Sequence, residues 1–265
     1  MKIQTQVIFL TIAGFQIKII FGKTDWLFAK NKLRDEIVYY YKDFISNMKP
    51  RKLDFTIELI EKKGVELLHK QYESKYFVNL FEEFGKNKIV GYYSINLVQL
   101  QLIIRNIIFK LSLKYKVFFL HSSAADINGE ACLFLGNQGA GKSTIVNLLK
   151  EKFPLLADDI SIIRNELNEY YFYQTPFIER EWIRKKSIKY KIAKIFFLKK
   201  AHNFMLQKIK NKDYILKKII EQLFVNKESE NIQIKYLTAF VSEFNHFYSL
   251  SFAKEKAGLI KLFSL

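Results

Sequence analysis

Residues 119–144 read FLHSSAADINGEACLFLGNQGAGKST, and the fold turns on how this stretch is parsed. Its second half, GNQGAGKS over residues 136–143, fits the phosphate-loop pattern G-x-x-x-x-G-K-[ST]. Gly136, Gly139 and Gly141 permit the backbone turns that let N–H groups converge on phosphate oxygens. Lys142 is spaced to reach the outer phosphates of a nucleotide, and Ser143 to give a hydroxyl to Mg²⁺. Asn137, Gln138, Ala140 and Thr144 complete the expected nucleotide-binding stretch. The flanks suit it. EACLFL before it reads as an apolar strand, and Ser143–Phe153 after it as a helix with Ile145, Leu148 and Leu149 on one face, closed by Pro154.

The first half reads as a hairpin. VFFLHSSAADI is expected as one strand, Asn128-Gly129 as the turn and EACLFL as the return strand. A two-residue turn sets Ile127 opposite Glu130, Ala125 opposite Cys132 and Ser123 opposite Phe134. Continued without a bulge, the same ladder sets His121 opposite Gly136. A histidine there can donate to a phosphate oxygen or orient a carboxylate, or else only pack the hairpin.

Just beyond the helix comes LLADDISII, an apolar run split by Asp158 and Asp159. Phosphoryl transfer to a hydroxyl needs a carboxylate to accept the proton and acidic groups to hold Mg²⁺, tasks this pair could divide. In an unbroken strand neighbouring side chains point to opposite faces, so only one of the two is expected to face a given site.

Composition bounds the remaining classes. The chain has 265 residues, with 49% hydrophobic residues, 3 Pro and 10 Gly, which suits a folded core and not a disordered linker. Net charge is +17, but the excess is mostly Lys spread along the chain, and Arg, the usual reader of bases, is scarce. Nucleic acid is therefore not expected as a partner. The single Cys132 builds no disulfide or zinc site and sits in an apolar run, where a buried, inert thiol is expected. The four His form no metal-binding spacing. No run is apolar and long enough to span a bilayer, and the first 22 residues lack the features of a signal peptide, so a cytoplasmic protein without a membrane partner is expected.

Three regions are expected. Residues 1–94 read as a smaller α+β part, with paired strands over 3–21, helical spacing over 26–49 at Leu27, Leu33, Ile37, Tyr40, Tyr41 and Phe44, and a strand at LDFTIEL. FVNLFEEF is ambiguous. Residues 95–115 form the longest helical pattern, apolar on most sides and expected as a buried connecting helix. Residues 116–265 read as a mixed α/β domain, with further strands at EYYFYQT, AKIFFLKK and FYSLSF and helices at DYILKKIIEQLF and KAGLIKLF. There is no LSGGQ-type signature of a transporter ATPase and no N-K-x-D motif of a switch GTPase.

His121 before an Asn-Gly hairpin, then GNQGAGKST, then LLADDISII: in this order the three elements resemble the catalytic domain of HPr kinase/phosphorylase. More broadly they resemble HPr-kinase-like enzymes with a phosphoenolpyruvate-carboxykinase-type phosphate loop. The resemblance covers residues 116–265 and is strongest over 119–163. It implies a mixed-sheet α/β phosphate-loop kinase domain, preceded by a smaller α+β region that would serve acceptor binding. It implies Mg²⁺ and ATP as cofactors, with Lys142 and Ser143 on the phosphates and metal, and Asp158 as first choice and Asp159 as second for the catalytic carboxylate. It makes His121 the histidine working beside that carboxylate. YQTPFIERE, residues 173–181, resembles a TPF region of less-studied members and brings in Glu179 as a third acidic group, so that Ser143, Asp159 and Glu179 form the expected metal set. The family's E-x-R-G-x-G signature is absent, so the resemblance does not extend to HPr as substrate or to phosphorolysis. The N-terminal part resembles the divergent HPr-kinase-like proteins of ribosomal-peptide maturation, which implies a peptide or protein Ser as acceptor. A small hydroxyl compound such as free serine is the alternative acceptor, and a non-catalytic nucleotide-sensing or nucleic-acid-associated module the alternative class. ATP is not separated from GTP or pyrophosphate, and a homo-oligomer is left open.

Overall fold

The structure, a computed structural model, describes residues 6–61, 67–69, 76–78, 81–177, 179, 183–224 and 230–264. Residues 3–5 of the first expected strand, 79–80 of FVNLFEEF and 178, 180 and 181 of YQTPFIERE lie outside the described residues. The chain separates into two compact units, Met1–Leu111 and Ser112–Leu265.

In the first unit, β1 (Gln6–Ile12) and β2 (Phe15–Phe21) pair antiparallel, and α1 (Leu27–Tyr40) leads to β3 (Phe55–Ile60), which lies parallel to β2. β4 (Leu67–His69) and β5 (Tyr76–Val78) pair separately. β6 (Phe81–Glu83) and β7 (Lys88–Tyr92) complete a mixed sheet in the order β1-β2-β3-β7-β6. The buried positions of β2 alternate along the strand, as one covered face requires. Of the spaced apolar positions over 26–49, Leu33, Ile37, Tyr41 and Phe44 are buried, whereas Leu27 and Tyr40 are exposed. α2 (Leu97–Ser112) is the expected long helix, with Leu100, Ile103, Ile104, Ile107 and Ile108 buried.

The second unit is built on a nine-stranded mixed sheet. Its strands are β8 (Val117–His121), β9 (Ser123–Ile127), β10 (Glu130–Leu135), β11 (Leu155–Ala157), β12 (Ile160–Glu166), β13 (Glu169–Tyr173), β14 (Lys189–Lys200), β15 (Met205–Lys208) and β16 (Phe247–Phe252). The main path runs β11-β9-β10-β14-β13-β12-β8, with β16 on β14 and β15 on β16. β10, β14 and β16 are mutually parallel. Helices α3 (Lys142–Leu149), α4 (Lys212–Ile220), α5 (Glu230–Glu243) and α6 (Lys256–Phe263) cover it.

Strand alternation explains the layering. On one face Leu133, Leu135, Ile195 and Phe197 pack with Ile215 and Ile219 of α4 and Leu237 and Phe240 of α5. On the other, Cys132, Phe134, Phe196 and Leu198 pack with Ile145, Val146 and Leu149 of α3 and Leu259 and Phe263 of α6. β10 is thus covered on both sides after its exposed first residue, Glu130, which is why residues 131–135 are continuously apolar. Burial also pushes the Cys132 thiol up to about 12, so the thiolate is not populated near neutral pH. No helix among the described residues is long and apolar enough to cross a membrane.

The hairpin forms with the expected register as far as Phe134 opposite Ser123. Its turn places Asn128 at φ 58° and Gly129 at φ 86°, the conformation that favours Asn-Gly. Beyond Ser123 the expectation fails. VFFLHSSAADI is two strands, because the chain changes partners at Ser122: β9 pairs with β10 and β11, whereas β8 pairs with β12. His121 therefore lies opposite Ile160 and not Gly136. The partner chain bends at the same level, at Asp158 and Asp159 between β11 and β12. Ser122 joins the two bends, its N–H donating to Asp159 O at 3.1 Å and its hydroxyl to Ser161 Oγ at 2.7 Å.

Candidate functional site

The Gly136–Ser143 loop leaves the carboxyl end of β10 and enters α3. Ligands of open α/β sheets gather at this end of parallel strands, and a helix N-terminus there adds favourable field for an anion. Gly141 is the N-cap of α3 at φ 104°, and a Cβ on it would lie 2.7 Å from Phe252 Cζ. Gly141→Ala therefore combines a left-handed backbone with overpacking. It is expected to cost about 2–5 kcal/mol of stability, read as a lower urea midpoint at unchanged m-value.

The nearly buried Lys142 folds back on its own loop, its Nζ donating to Gly136 O at 2.5 Å. Burial holds its pKa below the ordinary lysine value, and the carboxylates of Asp159 and Asp158 oppose that shift. The loop residues Asn137, Gln138, Gly139, Gly141, Lys142, Ser143 and Thr144 share one cavity, of about 490 Å³, with His121, Asp158, Asp159, Glu179 and Lys200. The loop and its acidic and His flanks thus meet in a single cavity, which Gly136 and Ala140 do not line.

The two aspartates both line it, contrary to strict alternation. The reason is local: residues 158–159 form a bend, and alternation holds only in extended chain. The bend gives them different partners. Asp158 Oδ1 accepts from Ser123 Oγ at 3.0 Å, and Asp158 Oδ2 faces Ser143 Oγ at 3.4 Å. Asp159 Oδ1 lies 2.9 Å from His121 Nδ1. A proton on Nδ1 is donated to that carboxylate, which leaves Nε2 free to exchange a proton.

Glu179 sits behind the bend. Its Oε2 accepts from Asp158 N at 2.9 Å and its Oε1 from Ile160 N at 3.3 Å, so the two amides flanking Asp159 are held by one carboxylate. Lys185 approaches Glu179 Oε2 to 3.4 Å and donates to Phe177 O, with both charged side chains largely buried. Burial lowers the Lys185 pKa and the Glu179 charge opposes it. Removing one partner of such a pair strands the other charge. Lys185→Met is expected to destabilise the protein by about 3 kcal/mol, measured by urea unfolding at neutral pH. Among the described residues, no group of three or more His, Cys, Asp or Glu is placed to hold a metal.

Sequence reasoning does not find Ser123, Lys185 or Lys200. Ser123 and Lys200 leave a faint trace, a hydroxyl inside an apolar hairpin and a cation ending an apolar strand. Lys185 leaves none, since nothing in IRKK, residues 183–186, singles out one charge as the buried one.

These features define a mixed α/β protein with a strand–glycine loop–helix unit facing paired carboxylates. No family model matches the chain, and no curated protein matches it. Among solved structures, the HPr(Ser) kinase/phosphatase from Coxiella burnetii aligns at a TM-score of 0.31 and 12% identity, covering 56% of this chain and 92% of that one. A likeness of that size does not bear on chemistry, which rests on the residues of this chain.

Proposed function

We propose that this protein is a Mg²⁺- and ATP-dependent kinase that transfers the γ-phosphoryl group to a hydroxyl, a Ser side chain of a peptide or protein. The observation carrying this reading is the single cavity in which the glycine loop, Lys142, Ser143, Asp158 and the His121–Asp159 pair meet.

The residues present fit both cofactors. Ser143 Oγ and Asp158 Oδ2 are hard oxygen donors 3.4 Å apart, too far for a strong mutual hydrogen bond and of the type Mg²⁺ takes. Ser143 and Asp158 would hold the metal, which when bound neutralises charge on the transferring phosphoryl group. Lys142 and the N-terminus of α3 would bind the phosphates, and Lys200 supplies a second cation on the cavity wall. Asp159 would take the proton of the acceptor hydroxyl as the bond from its oxygen to the γ-phosphorus forms and the bond from that phosphorus to the bridging oxygen breaks, with ADP leaving. His121 orients that carboxylate through Nδ1 and spreads the charge change. This division reverses the first choice from sequence, because Asp158 is engaged by two serines while Asp159 has the histidine. In this reading Glu179 clamps the bend, accepting from the amides on either side of Asp159.

Calorimetric titration with ATP, with and without Mg²⁺, tests the binding half of the proposal. Mg²⁺-dependent saturable binding is expected. Salt-sensitive binding of DNA or RNA together with no binding of ATP would contradict it.

A further inference from the structure

The turn that ends α4 touches both walls of the cavity. Gln222 is 5% exposed. Its side-chain Nε2 donates to Asn137 Oδ1 of the loop at 2.9 Å, while its main-chain carbonyl accepts from His121 N at 2.7 Å. The next residues continue the attachment to β8. Leu223 forms a bridge with Leu120, and Phe224 N donates to Phe119 O at 2.9 Å. The strap is anchored at its other end, because Ile215 and Ile219 of α4 are fully buried in the core. One residue thus spans from position 137 of the loop to the backbone of the histidine strand.

We infer that Gln222 is a positioning residue that sets the nucleotide loop in register with His121. Its two attachments separate by chemistry. Any amino acid supplies the carbonyl that holds His121, but the bond to Asn137 needs a polar side chain at 222 that can form a hydrogen bond. Side-chain substitution should therefore loosen the nucleotide side and leave the histidine side in place. Gln222→Met keeps the length and bulk and removes the hydrogen bond, whichever way the two amides are oriented.

This inference rests on the proposed function for its kinetic consequence, but its structural part can be tested without it. In a double-mutant cycle, Gln222→Met, Asn137→Ala and the double variant are compared by urea unfolding and by Mg-ATP titration. For a hydrogen bond of ordinary strength, each single variant is expected to raise the ATP Kd about threefold to tenfold, and the double variant no further. In unfolding, the two changes are likewise expected to be non-additive. In turnover, Gln222→Met is expected to raise KM for ATP while kcat and its pH profile stay within about twofold, since the His121–Asp159 pair is untouched. Additive effects in the unfolding cycle would overturn the inference, as would a fall in kcat at unchanged KM. Failure of the unaltered protein to bind Mg-ATP would overturn the proposed function instead, and the unfolding cycle would still decide whether Gln222 and Asn137 are coupled.

Discussion

Lys142→Met is expected to abolish useful nucleotide binding while leaving the fold intact. The ammonium group is the one cation rooted in the loop and helix junction itself, and it is nearly buried. Its partner in the structure is the loop's own Gly136 carbonyl, a neutral group, so removing the charge strands no carboxylate in the core. Facing a bound phosphate the situation is different, because a desolvated anion would lose its charge-assisted donor. Truncating one member of such a pair costs about 2–5 kcal/mol, a factor of about 30 to a few thousand in Kd. Calorimetry with Mg-ATP measures this directly. A melting temperature within a few degrees of the unaltered protein is the control that separates lost binding from lost folding. Binding unchanged in Lys142→Met would remove the loop from the mechanism.

The aspartates should divide cleanly. Asp159→Asn removes the proton acceptor paired with His121 but none of the groups around Ser143. It is expected to lower kcat by about 10²- to 10⁴-fold, the usual contribution of a positioned base, with the ATP Kd shifted by less than about threefold. Asp158→Asn sits on the other side of the bend, where it faces Ser123 and Ser143. It is expected to raise the Mg²⁺ concentration needed for half-maximal activity, with partial recovery at high Mg²⁺. Single-turnover rates across a Mg²⁺ series distinguish the two. An Asp159→Asn variant that turns over normally, with Asp158→Asn inactive at every Mg²⁺ level, would restore the opposite division of labour.

Much of the second unit is legible in the sequence because its signals are local. The loop pattern needs eight consecutive residues, and the hairpin register follows from a two-residue turn whose positive φ values suit Asn128 and Gly129. Counting along the ladder works until Ser122, where the strand trades one neighbour for another. Nothing in a single sequence marks that exchange, because Ser122 and Ser123 both read as ordinary polar positions in a strand. The same kind of event hides the geometry of the Asp pair. Alternation assigns Asp158 and Asp159 to opposite faces, and only the bend, held by the carboxylate of Glu179 from another segment, brings both into one cavity. Helix α5 goes unread for a different reason. Its β-branched and aromatic residues suit strands by propensity, yet Leu237, Phe240 and Val241 are buried at helical spacing against the sheet.

The most direct measurement is transfer of label from γ-³²P-ATP, with Mg²⁺, to a degenerate peptide library with Ser, Thr or Tyr at the fixed position, run beside free serine as competing acceptor. The kinase reading predicts label in the Ser peptides as a stable phosphate ester, abolished by chelation of Mg²⁺ and by Asp159→Asn. Label on free serine alone would contradict the peptide acceptor, and saturable binding of Mg-ATP with no transfer to any hydroxyl would contradict the proposed kinase.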